Sequence, residues 1–166
     1  MASLHTPTPR VAAQVAALPI RLHRDGYVEV LLVTSRETRR WIIPKGWPVP
    51  GLAPHEAAAS EALEEAGVIG TALADPFGHF TYDKRLDGGM VLPCRVAVHV
   101  LRVERELDRW REQGQRERAW FGSREAARQV CNLSLQRLIT RVGRAAELAG
   151  APPRRAHRVG AALRPI

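Results

Sequence analysis

A mixed α/β domain is the fold this sequence predicts, and three observations carry that prediction. Runs rich in β-branched and aliphatic residues lie on both sides of one alanine-rich internal segment, residues 54–66. A second helical stretch closes the domain over residues 123–149. The chain has 166 residues, 45% hydrophobic and 25% charged, which suits one globular domain with its own core. Strands before and after a single helix, with helix again at the end, call for helices packed on a sheet.

The elements follow in order. Residues 1–9, MASLHTPTP, are polar and proline-containing and predict a flexible N-terminus ahead of a domain over 10–149. QVAALPIRLHR and YVEVLLVTS predict two strands, separated by the turn signal Asp25–Gly26. The second is almost continuously apolar after Glu29, as a strand buried on both faces should be. WII at 41–43 predicts a short third strand, stopped by Pro44. PHEAAASEALEEA, residues 54–66, predicts the first helix: Pro54 suits a first turn, the interior is alanine-rich, and Gly67 stands where a left-handed cap is wanted. Strands are expected near 69–73, 77–84 and 90–104, with DGG at 87–89 as a turn. ELDRWREQGQRER, residues 106–118, reads as an exposed loop or short helical turn, and AWF at 119–121 as a last strand. Within 123–149, Asn132–Leu133–Ser134 predicts a break and a cap.

The formal charge of +8 is uneven. Residues 137–166 hold seven arginines against one acid, Glu147, which leaves a net +2 for residues 1–136. Residues 150–166 therefore predict a basic, disordered tail, and contact with nucleic acid is expected only through it. No apolar run approaches the roughly 18 residues that would span a bilayer. VAAQVAALPI at 11–20 is broken by Gln14 and reads as a strand rather than a leader. Cys94 and Cys131 fit no disulfide framework or zinc spacing, and are expected as small buried thiols in a reducing, cytoplasmic setting.

On the 54–66 helix, Glu61, Glu64 and Glu65 stand at i, i+3 and i+4, within roughly a 100° arc of one face. Like charges so placed repel by about 1 kcal/mol per close pair in water, and by more where screening is poor. Two readings answer this: a solvated acidic face, or a site for an oxygen-seeking divalent cation, Mg²⁺ or Mn²⁺.

The surroundings favour the second reading. Gly46 and Gly51 precede the helix and Gly67 ends it. This loop–helix–loop resembles the box of the Nudix hydrolases, G-x5-E-x7-R-E-U-x-E-E-x-G-U, where U is a bulky aliphatic residue. EALEEAGV supplies residues 61–68 and Gly46 the first glycine, while Leu52 stands at the isolated glutamate and Ser60 at the arginine. Glu56 is the nearest substitute for that early glutamate. Segments such as RRWIIPKG, GVIGTALADPFGHF and RERAWFGSREAARQV extend the similarity over most of residues 11–140. They resemble the branch that contains the diphosphoinositol polyphosphate phosphohydrolases.

The resemblance implies a Nudix fold, an α/β/α sandwich with a mixed central sheet and a loop–helix–loop catalytic motif. It implies hydrolysis of a phosphoanhydride bond in an organic diphosphate, with diadenosine and diphosphoinositol polyphosphates as candidates. Glu61, Glu64 and Glu65 would hold Mg²⁺ or Mn²⁺ together with backbone near Gly46, and Glu61 or Glu65 would orient or deprotonate the water. Because the family's arginine orients the neighbouring glutamate, Ser60 leaves Glu61 without that partner. Phosphate contacts fall to Arg36, Arg40, Lys45, Arg116 and Arg118, since cations, and arginine's planar fork above all, suit phosphate oxygens. Leu52 and Ser60 keep a second class open: a non-catalytic module of the same fold that binds a phosphorylated ligand or partner.

Overall fold

β1, Ala12–Leu22, is the strand around which the sheet is built. The computed structural model describes residues 10–150, with side chains through residue 146. The expected flexible start at 1–9, and the basic tail from residue 151 onward, lie outside the described residues. β1 runs parallel to β7, Val91–Glu106, from Ala12 opposite Cys94 to Ile20 opposite Arg102. On its other edge β1 pairs antiparallel with β2, Val28–Thr34, and with β4, Lys45–Gly46. β2 also pairs with β3, Trp41–Ile42, and with β8, Arg118–Gly122. β7 takes β5, Val68–Ala72, and β6, Gly78–Arg85, as antiparallel neighbours. One parallel pairing among antiparallel ones makes the sheet mixed, as the sequence predicts.

Alternation along the central strands sorts the core into two layers. Val15, Ala17, Leu31 and Val33 face one way and meet α1, Pro54–Ala66. Ala16, Leu18, Val30 and Leu32 face the other way and meet α2, Ser123–Gln129, and α3, Leu133–Gly150. The result is the expected α/β/α sandwich.

α1 turns Ala57, Ala58, Ala62 and Ala66 to the sheet, each at most 1% exposed. Alanine lets the helix lie close, which sets how deep its carboxylates sit. The Ala53 amide donates to Glu56 Oε2 at 2.7 Å, so Glu56 caps the helix start and does not stand in for the early box glutamate. At the other end Gly67 takes φ 62° and its N–H reaches the Ala62 and Leu63 carbonyls, the expected left-handed cap.

Three readings are corrected. Lys45–Gly46, expected as loop, pairs with Val15–Ala16 as β4. Residues 107–117 are not a detached charged loop; they fold back onto the end of α1, as described below. Cys131 is exposed, because the break between α2 and α3 turns it outward, whereas Cys94 is buried as expected. That break is capped as predicted, with the Leu135 amide donating to Asn132 Oδ1 at 3.0 Å.

Candidate active site

A cleft of about 890 Å³ opens beside β4, bounded by α1, the loops around residues 35–50, the end of β6 and the turn before α3. Glu61 and Glu65, one helical turn apart, both line it. Glu64, at i+3 from Glu61, does not line it; Arg111 Nη1 lies 2.7 Å from its Oε2. The three acids expected on one face therefore divide into a pair that lines the cleft and one outside its lining.

Glu61 has no hydrogen-bond or ion-pair partner among the described residues. Burial, followed by repulsion from Glu64 and Glu112, raises its pKa. Gly46 lies so close that a β-carbon there would overlap the Glu61 carboxylate. Glu65 is 7% exposed and held at both oxygens: Oε2 accepts from the Lys45 amide at 3.2 Å, and Oε1 from Arg116 Nη2 at 2.7 Å. Burial outweighs the attraction of Arg116 and the Lys45 amide, and its pKa is pushed up to about 7. Both cleft carboxylates are thus held where burial disfavours their charge, beside the backbone of Gly46.

No three acidic, histidine or cysteine side chains among the described residues form a ready-made metal cage. The cleft offers a smaller set of oxygen donors, the Glu61 and Glu65 carboxylates and the backbone at Gly46. That set fits magnesium, which keeps several waters and shares its ligands with substrate phosphates.

The segment after β7 fixes the end of α1. A helix leaves its last carbonyls open, and here four consecutive ones receive donors from residues 107–118. Glu64 O accepts from the Glu112 amide at 3.1 Å, and Gly67 O from the Leu107 amide at 2.8 Å. Glu65 O accepts from Trp110 Nε1 at 3.2 Å, and Ala66 O from Arg118 Nη1 at 2.7 Å. The Trp110 ring fills the space a β-carbon on Gly67 would need, and the Arg118 guanidinium lies 3.9 Å above that ring.

This changes the roles of two arginines expected to grip phosphate. Arg118 spends its donors on the carbonyls of Ala66, Gly67 and Leu107 and does not line the cleft. Arg116 borders the cleft but is buried, with its donors on Glu65, Glu112 and the Thr34 carbonyl. Arg36, Arg40 and Lys45 do line the cleft, and Lys84 and Arg85 join them from β6. Burial lowers the Lys45 pKa, against the pull of Glu65, and its Nζ stands 4.6 Å from the Tyr82 ring. Trp41, Trp47 and Phe80 give the same cleft an aromatic wall. Glu112, unremarked in the sequence, lines the cleft with Glu61 and Glu65.

Fold and site together define the class: an α/β/α domain with a carboxylate-bearing loop–helix–loop beneath a cationic cleft. The chain belongs to the Nudix family, whose NUDIX domain pattern matches residues 12–139. It is 34% identical over 111 residues to "Nudix hydrolase 13, mitochondrial" of Arabidopsis thaliana, covering 61% of this chain and 53% of that protein. It is 36% identical over 116 residues to diphosphoinositol polyphosphate phosphohydrolase 3-beta of Bos taurus, covering 68% of this chain and 65% of that protein. The chain spans about half the length of Nudix hydrolases 12, 13 and 16 of Arabidopsis thaliana. Among solved structures, a C. elegans Ap4A hydrolase binary complex shares the fold with a TM-score of 0.59 and 23% identity, covering 85% of this chain and 100% of that one. The MutT protein of Methanosarcina mazei Go1 does so with a TM-score of 0.59 and 19% identity, covering 84% and 98%.

Proposed function

We propose that this protein hydrolyses a phosphoanhydride bond in an organic diphosphate, with Mg²⁺ or Mn²⁺ bound between Glu61, Glu65 and the backbone at Gly46. One observation carries the reading: an unpartnered Glu61 and a buried Glu65 face the same cleft as Arg36, Arg40 and Lys45. Carboxylates and phosphates repel each other, so a site that gathers both sides needs a divalent cation between them.

A cation bound there supplies charge neutralisation for the phosphates and lowers the pKa of a bound water. The chain's own residues do the rest. Arg36 and Arg40, with Lys45 deeper in the cleft, hold the phosphate chain, and α1 fixes the carboxylates against it. Water oxygen bonds to phosphorus as the bridging P–O bond breaks, and its proton passes to a cleft carboxylate. Glu61 is the residue assigned to orient the water and take that proton, because no neighbouring side chain occupies its oxygens. Glu64, paired with Arg111 outside the cleft lining, contributes charge next to Glu61.

The aromatic wall of Trp41, Trp47 and Phe80 beside a cationic rim suits a substrate that joins a flat ring to several phosphates. A diadenosine polyphosphate fits that description better than a diphosphoinositol polyphosphate, which has no apolar face to bury. The likeness to the bovine phosphohydrolase keeps the second compound on the test panel. A reducing compartment, the cytoplasm, is proposed with this reading because both described cysteines are unpaired.

Ser60 and Leu52 support one alternative, a module that binds such ligands without cleaving them. Product release from diadenosine polyphosphates, diphosphoinositols, dinucleotides and nucleoside triphosphates, with and without Mg²⁺, separates the two. Mg²⁺-dependent release from any of them supports the hydrolase; binding with no release from all of them establishes the module.

A further inference from the structure

We propose that Arg116 is a positioning residue: an arginine from outside α1 aims the Glu65 carboxylate at the cleft. The inference rests on the hydrolase reading above and deepens it. Ser60, beside Glu61 on α1, makes no hydrogen bond to any of the three glutamates among the described residues. The orientation of Glu65 comes from elsewhere.

The Arg116 fork is committed at every edge. Nη2 donates to Glu65 Oε1 at 2.7 Å, Nη1 to the Thr34 carbonyl at 3.0 Å, and Nε to Glu112 Oε2 at 2.5 Å. The side chain is 7% exposed, so none of these bonds competes with bulk water. A planar group held at three points cannot swing away. It fixes one Glu65 oxygen while the Lys45 amide on β4 fixes the other. The direction of Glu65 is therefore set jointly by β2, β4 and the 107–117 segment, not by the helix that carries it.

Stability alone is a poor explanation for this cluster. Buried ion pairs are often no better for folding than apolar residues of the same volume. Partners that orient a metal-binding carboxylate matter more: losing one costs roughly 10–100-fold in metal affinity or activity.

Arg116→Lys tests the point, because it keeps the charge and gives up the planar fork. Two readouts are taken on the full chain: kcat against KM with the substrate the protein cleaves, and Mn²⁺ affinity by electron paramagnetic resonance of the free ion. Positioning predicts that kcat falls about 10–100-fold with KM nearly unchanged, and that Mn²⁺ binds about tenfold more weakly. Glu112→Gln, which loosens the backstop and leaves Arg116 on Glu65, should show the same losses at smaller size. It decides the matter if Arg116→Lys fails to fold. Values of kcat and Mn²⁺ affinity within twofold of wild type in the folded variant overturn the proposal. If the wild type binds Mn²⁺ yet cleaves nothing, the hydrolase reading falls and the Mn²⁺ comparison still decides for or against Arg116. If the wild type binds no Mn²⁺, both fall.

Discussion

Gly46 on β4 and Glu61 on α1 are in such close approach that the Glu61 carboxylate occupies the place of a β-carbon on Gly46. The box glycine is therefore needed for space. Gly46→Ala should displace Glu61 without upsetting the fold, since the atoms in the way are the end of a flexible side chain. The expected outcome is a melting temperature that reports a loss under about 1 kcal/mol with kcat down by about 100-fold. Wild-type kcat in Gly46→Ala would show that Glu61 need not stand where it does.

The raised pKa values of Glu61 and Glu65 fix a sign for pH dependence. A folded-state pKa above the unfolded value stabilises the protonated native state at low pH. That contribution is complete below about pH 4.5 and is lost as pH rises through about 7 for Glu65. Metal-free protein should therefore lose stability over this window relative to Glu65→Gln. Added Mg²⁺ needs the ionised carboxylates, so its stabilising shift should be larger at pH 8 than at pH 5.5. Thermal melts with Mg²⁺ or chelator at both pH values check this, and an equal shift at both would contradict it.

Trp110 packs against the end of α1, with its ring at Gly67 and its Nε1 on the Glu65 carbonyl. Trp110→Phe keeps most of the ring and removes the hydrogen bond, which should cost about 1 kcal/mol. Trp110→Ala should cost about 2–4 kcal/mol, short of a fully buried tryptophan. Both are read by denaturant unfolding. Equal losses would mean that the ring adds nothing beyond the hydrogen bond, and no loss in either would mean that neither supports the helix end.

Much of this architecture is legible in the sequence because it is local. Pro54, the alanine run and Gly67 mark α1 at its observed bounds, and Asn132 marks the break before α3. The Glu61 and Glu65 spacing places both on one side of a helix whatever surrounds it. What stayed hidden depends on long-range pairing. β4 is two residues long, too short for any periodicity, and exists because Val15–Ala16 offers it an edge. Residues 106–118 look exposed by composition, yet Arg116 is buried because Glu65, far away in sequence, neutralises it. A tryptophan among charges, Trp110, was the only local hint that this stretch packs against something. Arg118 misled for the same reason: its partners are backbone carbonyls that no side-chain pattern reveals.

The rim cations should affect binding more than chemistry. Arg36 is 60% exposed at its side chain, with Glu112 Oε1 at 4.0 Å as its ion-pair contact. Arg36→Ala and Arg40→Ala are each expected to raise KM roughly tenfold with kcat changed by less than about threefold. Steady-state kinetics at saturating Mg²⁺ reads both numbers. A fall in kcat without a change in KM would move these residues from the rim to the reacting bond.

The proposed role of Glu61 and Glu65 in a cation-dependent hydrolytic site is tested most directly by a Mg²⁺ titration of product release. Wild type, Glu61→Gln and Glu65→Gln are compared with the substrate that the panel identifies. Saturable dependence on Mg²⁺ is expected in the wild type, with no turnover in chelator and a loss of at least about 100-fold in each variant. Turnover that persists in chelator, or that survives Glu61→Gln unchanged, would contradict that role.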